Sequence, residues 1–185
     1  MKEKTIEYYL EFLRYSLNAD STVVPQSASE IQWHDLLAFA KRHAIVGIYW
    51  MGIQKMMASE NRPELKYWTG DDDVLTWMAQ VQKIKINNTE LYNRCVQICH
   101  TFEKDGFASC ILKGQGNALM YPDPYIRTSG DIDIWVWPKK SKKLKLETLS
   151  KRRKEIVKYV CKECCPREVE YHHVDYPIYK NAPVY

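Results

Sequence analysis

Residues 130–134, Gly-Asp-Ile-Asp-Ile, constrain the fold more than any other part of the chain. Strands select against Asp, so an Asp-x-Asp pair within an alternating apolar segment needs a physical reason. Side chains at i and i+2 share a strand face, which predicts that Asp131 and Asp133 point the same way, about 6.6 Å apart along the strand. A divalent cation is the simplest way to stabilise such neighbouring carboxylates. The pattern predicts a metal site on a strand running from Asp131 to Trp137.

The segment before this pair has its own pattern. Residues 107–112 form a short, mostly apolar run, typical of a strand, and Lys113-Gly114-Gln115-Gly116 follows it directly. Two glycines so close together predict a loop, because glycine adopts turn conformations without steric cost. Gly114 and Gly116 as ordinary turn residues are the structural alternative to a binding role. The sequence therefore predicts a strand, a glycine loop and a second, acidic strand.

The first hundred residues show helical spacing of apolar side chains. Ser27-Ala28-Ser29-Glu30 fits a capping box ahead of one such helix, whereas Gly47 and Gly52 are expected to interrupt the next. A long helix is predicted from about Asp72 to Asp105, where Gly106 stops it. Acidic residues at 71–73 are explained by the dipole at a helix start.

After residue 112 the spacing of apolar residues changes between helical and strand-like, and this change defines the predicted domains. Residues 144–162 return to helical spacing, and residues 168–179 alternate as in a strand. We expect a helical N-terminal region over residues 1–88 and an α/β (α+β) core over residues 89–185.

Composition places the chain among globular proteins. It has 185 residues, of which 45% are hydrophobic and 27% charged. Its N-terminus lacks the apolar segment of a signal peptide, and no run approaches a membrane span. The six cysteines are therefore expected to be reduced thiols in a cytoplasmic protein that does not contact membranes. Residues 139–154 hold nine Lys or Arg; they are either a solvated helix face or a surface whose field attracts nucleotide or nucleic acid.

Three motifs stand in a fixed order and carry a resemblance. They are Leu112-Lys113-Gly114, Tyr121-Pro122-Asp123-Pro124-Tyr125-Ile126-Arg127 and Asp131-Ile132-Asp133. The chain resembles the uncharacterised nucleotidyltransferase family, within the DNA polymerase beta-like superfamily. In the helical half, Trp33, Ala40 and His43 also stand where such proteins show these residue types. From the chain alone, His43 is expected to be buried and hydrogen-bonded.

The resemblance implies a mixed sheet flanked by helices and a transfer of NMP from an NTP to an unknown acceptor: a small molecule, a protein or a nucleic acid. Asp131 and Asp133 would be the catalytic ligands of two Mg²⁺ ions, since a pair of ions stabilises both the entering and the leaving oxygen. Lys113 and Arg127 would neutralise phosphate charge, and Gly114 would open backbone N–H groups to the triphosphate. Ser129 would donate one more hydrogen bond.

These assignments have structural alternatives. Lys113 can be a surface lysine, Arg127 can pair with Asp123 or Asp131, and Ser129 can cap a local turn. Asp131 and Asp133 can themselves be a solvent-facing strand edge.

The superfamily also uses a third carboxylate on a later strand, and this chain departs from that pattern. Either the sequence is a fragment or the third acid is lost; Glu170 and Asp175 are the candidates within the chain. A catalytically incomplete binding or regulatory protein of the same fold is therefore the alternative function.

A zinc site is a third, weaker hypothesis. Thiolates and imidazoles are zinc ligands, but the cysteines fall at a helix end. Its candidate ligands are Cys161, Cys164, Cys165, His172 and His173.

Overall fold

The computed structural model describes residues 3–139 and 146–163, together with Val169 and Val174, which form an isolated antiparallel bridge. The helices are α1 (Glu3–Leu17), α2 (Trp33–Arg42), α3 (Val46–Met57), α4 (Asp71–Lys104), α5 (Lys113–Ala118) and α6 (Leu146–Glu163). The strands are β1 (Phe107–Leu112) and β2 (Asp133–Pro138), and short 3₁₀ helices cover Gln26–Glu30 and Pro124–Ile126. None of the described helices is long and apolar enough to cross a bilayer.

The chain divides into two compact units. The helical unit comprises residues 1–89 and 118–129, and the sheet unit comprises residues 90–117 and 130–185, each so far as the structure describes it. Helix α4 contributes its first half to the helical unit and its second half to the sheet unit. The segment 118–129, which lies within the predicted α/β core, belongs to the helical unit. The predicted domain ranges, 1–88 and 89–185, stay a prediction.

Aromatic side chains build the core of the helical unit. Phe12 packs edge-to-face on Trp33, with ring centroids 5.2 Å apart, and stacks on Tyr49 at 6.3 Å. The Tyr49 hydroxyl donates to the backbone oxygen of Tyr9 at 2.9 Å, so this buried polar group is satisfied. Burial of these large rings removes much apolar surface from water and is the main stabilising contribution in this unit.

Helix α3 runs unbroken through both of its glycines, which corrects the expected interruption. A Cβ added at Gly47 would lie 2.7 Å from the Cβ of Ile126, and one at Gly52 would lie 2.7 Å from the Cβ of Ser16. Both glycines are buried where another segment crosses the helix closely. Close packing, rather than a helix end, therefore explains these glycines.

The Ser27-Ala28-Ser29-Glu30 motif does not cap a helix. Residues 26–30 form a 3₁₀ helix, in which the Ser29 hydroxyl donates to the backbone oxygen of Gln26 at 2.8 Å. Helix α2 begins later and has no side-chain cap at Gln32. The Ser27 hydroxyl, which was expected to cap the helix, instead donates to the carboxylate of Glu11.

In the sheet unit, β1 and β2 pair antiparallel, in a register that runs from Phe107 opposite Pro138 to Leu112 opposite Asp133. One face of this pair packs on the second half of α4 and on α6. The residues in this core are Ile98, Phe102, Phe107, Ile111, Ile134, Val136, Ile156 and Tyr159. The strands predicted over residues 107–112 and 131–137 are confirmed, although β2 begins two residues later than expected. Of the strand predicted over residues 168–179, all but Val169 and Val174 lie outside the described residues. An α+β architecture is confirmed. The described residues form a two-stranded antiparallel sheet, so the mixed sheet of the nucleotidyltransferase fold stays a prediction.

Candidate active site

The junction between β1 and α5 carries the first candidate residues. Lys113 is the first residue of α5 and has a φ of +39°, in the left-handed region that residues other than glycine rarely adopt. The expected glycine loop is in fact this short helix, so that prediction is wrong. A Cβ at Gly116 would lie 3.0 Å from the backbone oxygen of Ile111, because the helix turns back sharply onto the end of the strand. Gly114 follows Lys113 in the first turn of the helix.

The strand register brings the lysine to the acidic motif. Because Leu112 pairs with Asp133, the last residue of β1 lies beside the first residue of β2. The Nζ atom of Lys113 lies 3.5 Å from Oδ1 of Asp133, with side chains 75% and 34% exposed, respectively. An ion pair this exposed contributes little to stability. The arrangement therefore leaves both charged groups accessible to a ligand.

Asp131 lies two residues ahead of β2 and is exposed. The predicted shared face assumed strand geometry at both aspartates, and only Asp133 belongs to the strand. That the two carboxylates act together stays a prediction. Their accessibility is compatible with metal binding and equally with a solvent-facing strand edge.

Arg127 and Ser129 lie in the helical unit and contact each other. Nη1 of Arg127 donates to the Ser129 hydroxyl at 3.4 Å, and that hydroxyl donates to Oδ1 of Asn88 at 2.6 Å. The Nδ2 group of Asn88 donates to the backbone oxygens of Tyr125 and Arg127, at 2.6 and 2.7 Å. Four groups of the 125–129 segment are thus organised around one side chain of α4.

Asp123 pairs with Lys85 and not with Arg127, the partner considered from the sequence. Its carboxylate lies 2.7 Å from Nζ of Lys85 and accepts a hydrogen bond from the backbone N–H of Tyr125 at 2.9 Å. Burial alone would raise the pKa of Asp123, but the hydrogen bonds from Lys85 and Tyr125 and the charge of Lys85 lower it below its ordinary value. Arg127 makes no ion pair within the part of the chain that the structure describes. Its guanidinium therefore keeps its charge available to an anion.

Comparison with known families decides what these motifs belong to. A family model described as an uncharacterised nucleotidyltransferase matches residues 29–150. The chain belongs to this nucleotidyltransferase family. The match covers all three motifs and the helical residues that carried the resemblance, which is thereby confirmed. No curated protein and no solved structure matches the chain.

Membership of a nucleotidyltransferase family suggests a nucleotide substrate and nucleotidyl transfer in general terms. Within this family member, Lys113 is brought together with Asp133, and Arg127 with Ser129. Sequence reasoning missed Asn88, which is 1% exposed. A signal was available, because Asn88 interrupts an apolar helical stripe formed by Val81, Ile84, Leu91 and Cys95. A polar residue inside such a stripe must find hydrogen-bond partners.

The donor set near the acidic motif fits Mg²⁺. Carboxylate oxygens are its preferred protein ligands, and it keeps several waters, so one or two carboxylates together with substrate phosphates are enough. Among the described residues, no three His, Cys, Asp or Glu side chains lie close enough to hold a metal by themselves. Glu170 and Asp175, the candidates for a third acid, lie outside the described residues.

Two further expectations concern other polar residues. His43 is exposed, not buried, because it ends α2 as its C-cap, and its ring lies 4.3 Å from that of Phe39. Cys161 is exposed on α6. The other candidate zinc ligands, at positions 164, 165, 172 and 173, lie outside the described residues.

Proposed function

We propose that this family member is a Mg²⁺-dependent nucleotidyltransferase that moves an NMP group from an NTP to a hydroxyl acceptor. The observation that carries the proposal is the meeting of Lys113 and Asp133, 3.5 Å apart, within a segment matched by the family model. A cation and a carboxylate of this kind suit the two parts of a metal-bound triphosphate. The carboxylate attracts the metal and the ammonium group attracts phosphate oxygens.

Each candidate residue has a stated role in this proposal. Asp131 and Asp133 hold the ions, which when bound would neutralise charge on the α-phosphate and on the entering and leaving oxygens. Lys113 and Arg127 bind phosphate oxygens, Arg127 with a planar group that can donate two parallel hydrogen bonds. The backbone N–H groups at Gly114 approach the triphosphate without a side chain in the way. Ser129 contributes a hydroxyl beside Arg127.

The reaction is an in-line displacement at the α-phosphorus. A bond forms between the acceptor oxygen and that phosphorus, while the bond from the phosphorus to the oxygen bridging to the β-phosphate breaks. Pyrophosphate leaves with the electron pair of the broken bond. The hydroxyl proton goes to a general base, for which Glu170 and Asp175 are the candidates in this chain.

The test is calorimetric titration of the protein with Mg·ATP and the other Mg·NTPs. We expect saturable binding that is lost in the double variant Asp131→Ala plus Asp133→Ala and retained in Glu60→Ala, an exposed acid far along the sequence. Release of pyrophosphate, followed with pooled small molecules, peptides and RNA as acceptors, tests turnover. The proposal fails if no NTP binds or if the double variant binds equally well. Binding without any pyrophosphate release would instead favour the alternative, a binding or regulatory protein.

A further inference from the structure

Asn88 has an unusual place in the helical unit. Its side chain is fully buried, yet each of its polar atoms is used by the segment from Tyr125 to Ser129. Both amide hydrogens are donated to backbone oxygens two residues apart, which fixes the path of the chain on either side of Ile126. A buried amide is costly unless it is hydrogen-bonded, and this segment supplies three of the hydrogen bonds of Asn88.

The direction of the hydrogen bonds connects Asn88 to Arg127. A serine hydroxyl has one proton, and the 2.6 Å bond from Ser129 gives that proton to Oδ1 of Asn88. The lone pairs of Ser129 remain, and Nη1 of Arg127 donates to them at 3.4 Å. The chain of hydrogen bonds therefore runs from Arg127 through Ser129 to Asn88. This series of hydrogen bonds uses only Nη1 of the guanidinium, and the other two nitrogens take no part in it.

We infer that Asn88 is a positioning residue, which orients the Arg127 guanidinium through Ser129 so that it can bind the triphosphate of the nucleotide. This inference rests on the proposed function, because it gives Arg127 a phosphate ligand. In this arrangement Ser129 acts on the nucleotide through Arg127, since its proton is already given to Asn88. Holding a long side chain in one geometry before binding reduces the entropy lost when the ligand arrives.

A double-mutant cycle measures this connection. The affinity for Mg·ATP is compared among the wild-type protein, Ser129→Ala, Asn88→Ala, Arg127→Ala and the two double variants that contain Arg127→Ala. We expect each single variant to weaken binding about tenfold, the scale of one charge-assisted hydrogen bond. In the Arg127→Ala background, the further loss from Ser129→Ala or Asn88→Ala should vanish, because the group that they orient is gone.

The controls separate positioning from folding. Thr89→Ala, on the exposed side of the same helix, should leave the affinity unchanged. Thermal unfolding shows which variants are folded, and if Asn88→Ala is not, the cycle of Ser129 with Arg127 decides, since it needs no change in the buried amide. Independent, multiplying losses would overturn the inference while leaving the proposed function intact. Failure of the wild-type protein to bind any Mg·NTP would overturn both.

Discussion

The Nζ atom of Lys113 lies 3.5 Å from Oδ1 of Asp133, although the two residues are twenty positions apart in the chain. The cause is the antiparallel register, which sets Leu112 opposite Asp133 and so brings the start of α5 to the start of β2. A lysine in this position competes with a bare metal ion for the carboxylate. Once a triphosphate is bound, the same lysine has a phosphate partner and assists the metal complex.

The substitution Lys113→Met should therefore change two affinities in opposite directions. Binding of Mn²⁺ alone, followed by electron paramagnetic resonance, should strengthen up to about fivefold, the limit for an exposed ion pair. Binding of Mg·ATP should weaken about tenfold, because a charge-assisted contact to phosphate is lost. Lys139→Met is the matched control, since Lys139 also pairs with an acid, Glu103, at 2.8 Å. Equal effects of the two substitutions would contradict a phosphate-binding role for Lys113.

The backbone conformation at Lys113 predicts that one substitution there raises the stability of the protein and lowers its affinity for Mg·ATP. A lysine at a φ of +39° is strained by about 1 kcal/mol, so Lys113→Gly should raise the free energy of unfolding by up to that amount. Mg·ATP affinity should fall at the same time, because the ammonium group is gone. Ala44, at a φ of 58° after α2, provides a control: Ala44→Gly should stabilise the protein without changing the affinity. Urea unfolding measures the first effect, and destabilisation by Lys113→Gly would contradict the argument.

The pair of Lys85 and Asp123 predicts a pH-dependent contribution to stability. The pKa of Asp123 in the folded protein lies below its ordinary value of 3.8, so the pairing stabilises the fold at higher pH. This contribution is lost as the pH falls through the folded pKa, when the carboxyl group is protonated. The variant Lys85→Met should unfold at lower urea than the wild type near neutral pH, and the difference should disappear in strong acid. Lys83→Met, an exposed lysine on the same helix, should show no such pH dependence.

Close packing at Gly52 predicts a stability loss on adding one methyl group. The new Cβ of Gly52→Ala would lie 2.7 Å from the Cβ of Ser16 and 3.2 Å from its Cα, and neither atom can move without shifting α1. We expect destabilisation by about 1–3 kcal/mol, as for other overpacked cores. Gly130→Ala, where the new Cβ has nothing within 4 Å, should change the stability little. Thermal unfolding checks both, and similar midpoints for the two variants would contradict the packing explanation.

Much of the fold follows from local sequence patterns. The apolar run at 107–112, the stop at Gly106 and the acidic start of α4 each depend on neighbours in the chain, and each was predicted correctly. Gly47 and Gly52 were misread because their cause is a contact with residues far along the sequence, Ile126 and Ser16. Local rules assign glycine to a helix end and contain no information on such crossings.

For the candidate site, the sequence predicts which residues take part but not how the fold brings them together. The motifs name Lys113 and Asp133, and alternation places Asp133 on a strand, but only the register between two strands brings them to 3.5 Å. The role of Asn88 depends on hydrogen bonds to residues 125–129, nearly forty positions later, and no local period specifies them. The helical conformation at Gly114 was missed because two glycines and a polar residue favour a loop on propensity alone.

The most direct test of the metal-binding role of Asp131 and Asp133 is a crystal structure of the protein with Mg²⁺ and a non-hydrolysable NTP. We predict that both carboxylates coordinate ions that also bind the triphosphate, with Lys113 against its phosphate oxygens. Ions bound elsewhere, or a nucleotide bound with both carboxylates directed away from it, would contradict the account.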